Sequence, residues 1–122
     1  MSHGNEQQQV GSTHVVTEDG TTILVFDDPA RSRFEAHLND EPVGIIDYRV
    51  EEVSGHVVIA HSQTYPPMGG RGIASALTRF ALGRIREDRG TGTVVLQCPF
   101  SRDFVAARPE FADLLVPPAA AG

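Results

Sequence analysis

The stretch that decides the fold runs from Val57 to Ile85 and reads VVIAHSQTYPPMGGRGIASALTRFALGRI. It opens with an apolar, β-branched run, Val57–Ala60, which predicts a buried strand. A proline pair then interrupts regular structure, and the glycine-rich turn Gly69–Gly72 follows. Beyond the turn a helical pattern begins. Its apolar stripe consists of Ile73, Leu77, Phe80, Ala81 and Ile85.

A strand, a glycine turn and a helix in this order form an anion-binding arrangement. Glycines let the backbone approach a ligand closely, and the first amides of a helix have no intrahelical partner. The turn is not a Walker A loop, because no Lys-Ser or Lys-Thr follows the glycines. It is not the dinucleotide fingerprint either, because the third glycine is missing after Gly70-Arg71-Gly72. A pyrophosphate of another kind fits the pattern.

The segment Gly69-Gly70-Arg71-Gly72-Ile73-Ala74 resembles the coenzyme A loop of the GNAT superfamily of N-acetyltransferases, whose motif reads Arg/Gln-x-x-Gly-x-Gly/Ala. Gly72 and Ala74 match the motif, and Gly69 stands where it opens with Arg or Gln. The wider span 22–115 resembles the minimal, single-domain branch of that superfamily. The other segments that carry the resemblance are Ala60-His61-Ser62, Leu96–Phe100 and Arg108–Leu114.

The resemblance implies an acetyl-CoA-dependent N-acetyltransferase that moves an acetyl group to a primary amine, with proteins among the candidate acceptors. Acetyl-CoA would be the cosubstrate. Its coenzyme A part would be bound at Gly69, Gly70, Arg71, Gly72, Ile73 and Ala74, mainly through backbone amides, with Arg71 as a phosphate contact.

An antiparallel meander precedes the deciding stretch. Its predicted strands are Thr21–Phe26, Arg31–Leu38 and Val43–Val50. After the helix, Thr93–Gln97 is predicted to lie parallel to Val57–Ala60, because a crossover returns the chain to the same sheet. A short helix from Ser101 to Ala107 follows. The predicted fold class is therefore α+β (α/β): a mixed, mostly antiparallel sheet with one strand–glycine turn–helix–strand unit.

Two candidate catalytic residues follow the strands of that unit. His61 closes the first strand and Cys98 follows the second, so both are expected at one end of the sheet beside the glycine turn. A histidine is suited to accept a proton from an amine. A cysteine either protonates the departing thiolate or accepts the acetyl group. The alternatives are a surface histidine and a small buried cysteine. The resemblance favours catalysis, because the minimal branch carries His and Cys at these positions.

Composition excludes several classes of protein. A net charge of −6, with 10 Lys plus Arg and no basic cluster, argues against a nucleic-acid partner and favours a cationic acceptor. The single cysteine excludes an intrachain disulfide and indicates a reducing compartment. No apolar run approaches the ~20 residues of a membrane span, and no signal peptide is evident, so the expected location is cytoplasmic without a membrane partner. The other histidines lack ligand spacing, so no metal is expected.

The expected organisation is a disordered tail at 1–14, one domain at 15–116 and a flexible tail at 117–122, in a monomer or weak dimer. Two rival functions remain open. A non-catalytic coenzyme A or acyl-CoA-binding domain would need the glycine turn but neither His61 nor Cys98. An interaction module on the same fold would bind no cofactor.

Overall fold

The computed structural model describes residues 12–65, 69 and 71–117, and six strands among them form one mixed sheet in chain order. The pairing of β5 with β6 is parallel and the other four pairings are antiparallel, which confirms the predicted fold class. The strands are β1 Thr13–Val16, β2 Thr22–Asp28, β3 Arg33–Leu38, β4 Glu41–Val50, β5 Val57–Thr64 and β6 Val94–Leu96. The helices are α1 Ile73–Arg89 and α2 Pro99–Ala106, with 3-10 helices at Pro29–Arg31 and Pro109–Leu114.

Both α-helices pack on one face of the sheet. Their buried side chains share a single hydrophobic cluster with alternate strand residues such as Phe34, Ala36 and Ile46. Gly44 allows the close approach of α1, since a Cβ there would lie 3.2 Å from Ile73 Cγ2 and 3.3 Å from the Gln63 carbonyl oxygen. The helix is therefore held directly against β4 and β5.

The other face of the sheet carries no helix among the described residues. Side chains alternate along a strand, so the neighbours of Phe34 and Ala36 in β3 point to this second face, which we call the open face. Only the short 3-10 helix Pro29–Arg31 connects β2 to β3, and its Arg31 Nη1 lies 4.0 Å from Glu35 Oε2 on this face.

The boundaries of several elements differ from the sequence predictions. β2 runs from Thr22 to Asp28, β3 begins at Arg33 and β4 begins at Glu41. Thr13 and His14 lie in β1 rather than in a tail, and the rest of that predicted tail, up to Gly11, lies outside the described residues. The strand that begins at Val57 continues to Thr64, because β4 remains its partner throughout. The parallel strand spans only Val94–Leu96.

The last helix begins at Pro99 with Cys98 as its N-cap, not at Ser101. Proline favours the first turn of a helix, where its missing N–H costs no hydrogen bond. The Ser101 hydroxyl is buried within that turn and donates to the Cys98 carbonyl oxygen at 2.9 Å.

Candidate active site

The strands β5 and β6 part where the sequence predicts the site. Their last paired residues are Ile59 and Leu96, after which the Gln97 amide donates to the Ile59 carbonyl oxygen at 2.9 Å. Residues 60–64 of β5 have no β6 partner and border a gap, and the chain continues on the far side of this gap into Cys98 and α2.

A bulge at Ala60 turns backbone amides toward this gap. Ile59 pairs with Tyr48 and His61 pairs with Asp47, so Ala60 has no partner in β4. The Tyr65 amide donates to the Val43 carbonyl oxygen at 2.9 Å, on the β4 side. Because amide directions alternate along a strand, the amides of Ser62 and Thr64 point away from β4 and into the gap. These two N–H groups are placed to act as oxyanion donors.

Cys98 lies against β5 and is 5% exposed. Its thiol donates to the Ser62 hydroxyl oxygen at 3.4 Å. Burial alone would raise the pKa of Cys98, but hydrogen bonds to its thiolate from Ser62 and from the amides of Ser101 and Phe100 outweigh burial and lower the pKa below its usual value. Cys98 is also the N-cap of α2, and the positive end of the helix dipole there stabilises its thiolate.

Replacing Ser62 with alanine should raise the pKa of Cys98. The hydroxyl stabilises the thiolate, so its removal means that the thiolate forms only at higher pH. A pH titration of ultraviolet thiolate absorbance measures this directly, because the chain has one cysteine. Exchanging the exposed Ser54, which lies in the turn between β4 and β5, for alanine is the control and should leave the curve in place. An unchanged midpoint in the Ser62 variant would contradict the assignment.

His61 is exposed and lies on the open face, opposite Asp47 in the pairing of β4 with β5. The neighbouring Ser62 points to the other face, where it meets Cys98. His61 and Cys98 therefore border the same gap, as predicted, but from different faces of the sheet. The expectation that His61 closes the strand is wrong, because β5 ends at Thr64.

A row of charged side chains crosses the open face beside His61. Asp28, Arg33, Asp47 and His61 occupy directly paired positions on β2, β3, β4 and β5. The row alternates in charge sign up to Asp47, so a carboxylate is the nearest cross-strand neighbour of the histidine. A cationic group that approaches His61 would meet this carboxylate.

Glu35 is a buried carboxylate on the open face. It is 4% exposed and accepts hydrogen bonds from Arg33 Nε at 3.0 Å and from His37 Nε2 at 2.8 Å. Burial alone would raise the pKa of Glu35, but its hydrogen bonds with His37, Arg33 and Asp28 outweigh burial and lower it. Asp28 has the opposite shift, since burial and the hydrogen bond with Glu35 raise its pKa. The ionised Glu35 thus holds Arg33 in place beside Asp47.

The glycine turn leads into α1 as the sequence predicts. Gly72 has φ 80° and is the N-cap of the helix, and no side chain caps the first amides. Ile73 is buried in the core, so of its groups only the amide faces a ligand, and Ala74 follows it in the first turn. Gly69 and Arg71 are exposed, and Gly70 lies outside the described residues.

The turn between β1 and β2 packs against Gly72, a contact absent from the sequence analysis. A Cβ on Gly72 would lie 3.3 Å from the Glu18 amide nitrogen. Hydrogen bonds from the Thr17 and Thr21 hydroxyls lower the pKa of Asp19, and the charge of Arg71 lowers it further. An acidic turn therefore borders the start of α1. No local sequence signal indicates this contact, because it joins residues more than 50 positions apart.

Each end of α1 adjoins a cavity. A cleft of about 250 Å³ adjoins Gly72 and Ser75 at the start of the helix. A larger cavity of about 800 Å³, lined by Tyr48 and Arg89 among others, lies at its other end. The negative end of the helix dipole faces that larger cavity, so the first cleft is the better one for a polyphosphate.

Two further findings concern metal ions and membranes. Among residues 12–65, 69 and 71–117, no group of three or more His, Cys, Asp or Glu side chains is arranged to hold a metal ion. In the same residues, no helix combines the length and the apolar character that crossing a bilayer requires.

Comparison with known proteins gives one family. The model of the GCN5-related N-acetyl-transferase family matches residues 33–114, which is more than half of the chain. The match includes β5, the glycine turn, α1 and Cys98. A search of curated proteins finds no match.

Proposed function

The chain belongs to the GCN5-related N-acetyltransferase family, and from this premise we propose that it transfers an acetyl group from acetyl-CoA to a primary amine. The observation that carries the proposal is the gap between β5 and β6. The amides of Ser62 and Thr64 and the Cys98 thiol border this gap. The uncapped start of α1 packs against Gly44, the partner of Thr64 in β4, through Ile73. These are the groups that a thioester, its leaving thiolate and a pyrophosphate need.

The glycine turn is suited to bind the pyrophosphate. The amides of Arg71, Gly72, Ile73 and Ala74 are candidate donors, together with Gly69 and Gly70 earlier in the turn. The pantetheine arm would then enter the gap, with the thioester carbonyl oxygen at the amides of Ser62 and Thr64. Positioning is the main task of the protein, since the thioester is already activated.

His61 would accept the proton of the acceptor's ammonium group, either directly or through water. The free amine attacks the thioester carbon, the tetrahedral oxyanion binds the gap amides, and the C–S bond breaks. Cys98 would give its proton to the departing coenzyme A thiolate, and the proton that the acylated nitrogen loses would restore the Cys98 thiol. In this direct route no acetyl group is attached to Cys98, so incubation with acetyl-CoA alone should leave the protein mass unchanged.

The open face supports a protein side chain or terminus as the acceptor. No described helix encloses His61, and Asp47 next to it favours a cationic group. A small molecule is usually held in a more enclosed pocket. A protruding lysine or amino terminus reaches an exposed histidine without such a pocket.

A thermal-shift titration with acetyl-CoA, followed by mass spectrometry of candidate acceptors, tests the proposal. We expect stabilisation by acetyl-CoA and an acetylated peptide amine. All ten basic residues of the chain are arginines, so no lysine of the protein itself competes as acceptor. Free small amines serve as the comparison and should react less efficiently than peptides.

Other outcomes identify the rival functions. Stabilisation without acetylation of any amine would support a coenzyme A-binding domain, for which the glycine turn suffices. The absence of both stabilisation and transfer would support an interaction module. Efficient acetylation of small amines, with no reactive peptide, would overturn the proposed acceptor class.

A further inference from the structure

The cleft beside the start of α1 has features that pyrophosphate binding does not use. It follows the first two turns of the helix from Gly72 past Ser75 to Arg79. The strand β1 lines one side, and Phe104 of α2 and Arg108, which follows that helix, line the other. Any ligand with a phosphate at the glycine turn therefore has an adjoining space that ends at two arginines.

The guanidinium groups of Arg79 and Arg108 both pack against the ring of Phe104. Arg108 Cζ lies 3.9 Å from the centre of the Phe104 ring, and Arg108 Nη1 donates to the Phe104 carbonyl oxygen at 3.3 Å. Arg79 Cζ lies 5.8 Å from the same ring and 5.5 Å from that of Phe111. Guanidinium groups stacked in this way lose less side-chain freedom when they bind an anion.

The positive charge of the pair is only weakly offset. Arg79 lies 3.7 Å from a carboxylate oxygen of Glu110, but both side chains are more than half exposed, and such pairs contribute little. Among the described residues no carboxylate forms an ion pair with Arg108. Glu18 lines the opposite side of the cleft and opposes an anion there. An anion in the cleft would displace Glu110 from Arg79 at small cost.

We infer that Arg79 and Arg108 bind the phosphate on the ribose 3′ oxygen of coenzyme A, so that the protein distinguishes coenzyme A from 3′-dephospho-coenzyme A. The inference rests on the proposed use of coenzyme A. The Cα of Arg79 lies about 10 Å along the helix axis from Gly72, at about 1.5 Å per residue, and its side chain leans back toward the helix start. That spacing suits the ribose phosphate when the pyrophosphate is at the glycine turn.

Calorimetric titration of both ligands tests the inference. Wild-type protein should bind coenzyme A roughly 10- to 100-fold more tightly than 3′-dephospho-coenzyme A, as expected for charge-assisted hydrogen bonds. Arg79→Gln and Arg108→Gln should each weaken coenzyme A binding about tenfold and leave the affinity for the dephospho ligand unchanged. Arg102→Gln is the matched control, because Arg102 is exposed on α2 outside the cleft.

Binding of 3′-dephospho-coenzyme A also shows that each variant is folded, because this ligand requires only the glycine turn. Equal affinity of the wild-type protein for both ligands would overturn the inference and leave the proposed function intact. A preference for coenzyme A that survives in both arginine variants would overturn it as well. Failure of the wild-type protein to bind either ligand would overturn the inference together with the proposed function.

Discussion

Replacing His61 with alanine should lower turnover by roughly 10²–10⁴, the usual contribution of a positioned general base. The exposed ring contributes nothing to the core, so the variant should fold normally. His61 is not among the residues proposed to contact coenzyme A, so the affinity for coenzyme A should stay near the wild-type value. Steady-state kinetics with a peptide acceptor and a parallel binding titration measure both quantities.

His14→Ala is the matched control for this experiment. His14 is also exposed and lies on a strand, but it is on β1, away from the gap, and its loss should leave turnover unchanged. Wild-type turnover in His61→Ala would move proton transfer to another group.

Replacing Gly72 with valine should abolish the thermal stabilisation by acetyl-CoA. With φ 80°, this position suits glycine, and a β-branched residue there is strained. The added Cβ would meet the Glu18 backbone at 3.3 Å, so the start of α1 and the turn between β1 and β2 would be pushed apart. The amides proposed to bind the pyrophosphate would shift with them. The free energy of unfolding should fall by roughly 1–3 kcal/mol.

Gly55→Val is the control that distinguishes the effect of backbone strain from the loss of ligand binding. Gly55 has φ 75° and no atom within 4 Å of an added Cβ, and it lies in the turn between β4 and β5, at the other end of β5. We expect this variant to lose a similar amount of stability and to keep the full shift with acetyl-CoA. Equal stabilisation of the wild-type protein and Gly72→Val would show that the glycine turn does not hold the cofactor.

The residue pattern around the glycine turn was enough to predict the central unit of the fold. The apolar run at Val57, the turn ending at Gly72 and the stripe that includes Leu77 and Ile85 became β5, the start of α1 and its buried face. These features act over a few residues, because backbone limits on glycine and the periodicity of apolar side chains are local properties. The placement of Cys98 beside β5 followed from chain direction alone.

The sequence by itself therefore determined the order of the elements, the parallel pairing and the position of Cys98 just after β6. Only the tertiary structure decided which groups meet there. The bulge at Ala60 changes which amides face the gap, and alternation along β5 sends Ser62, not His61, to Cys98. The approach of Arg79 and Arg108 to one aromatic ring joins two helices. Such contacts depend on strand register and helix packing, which no local pattern encodes.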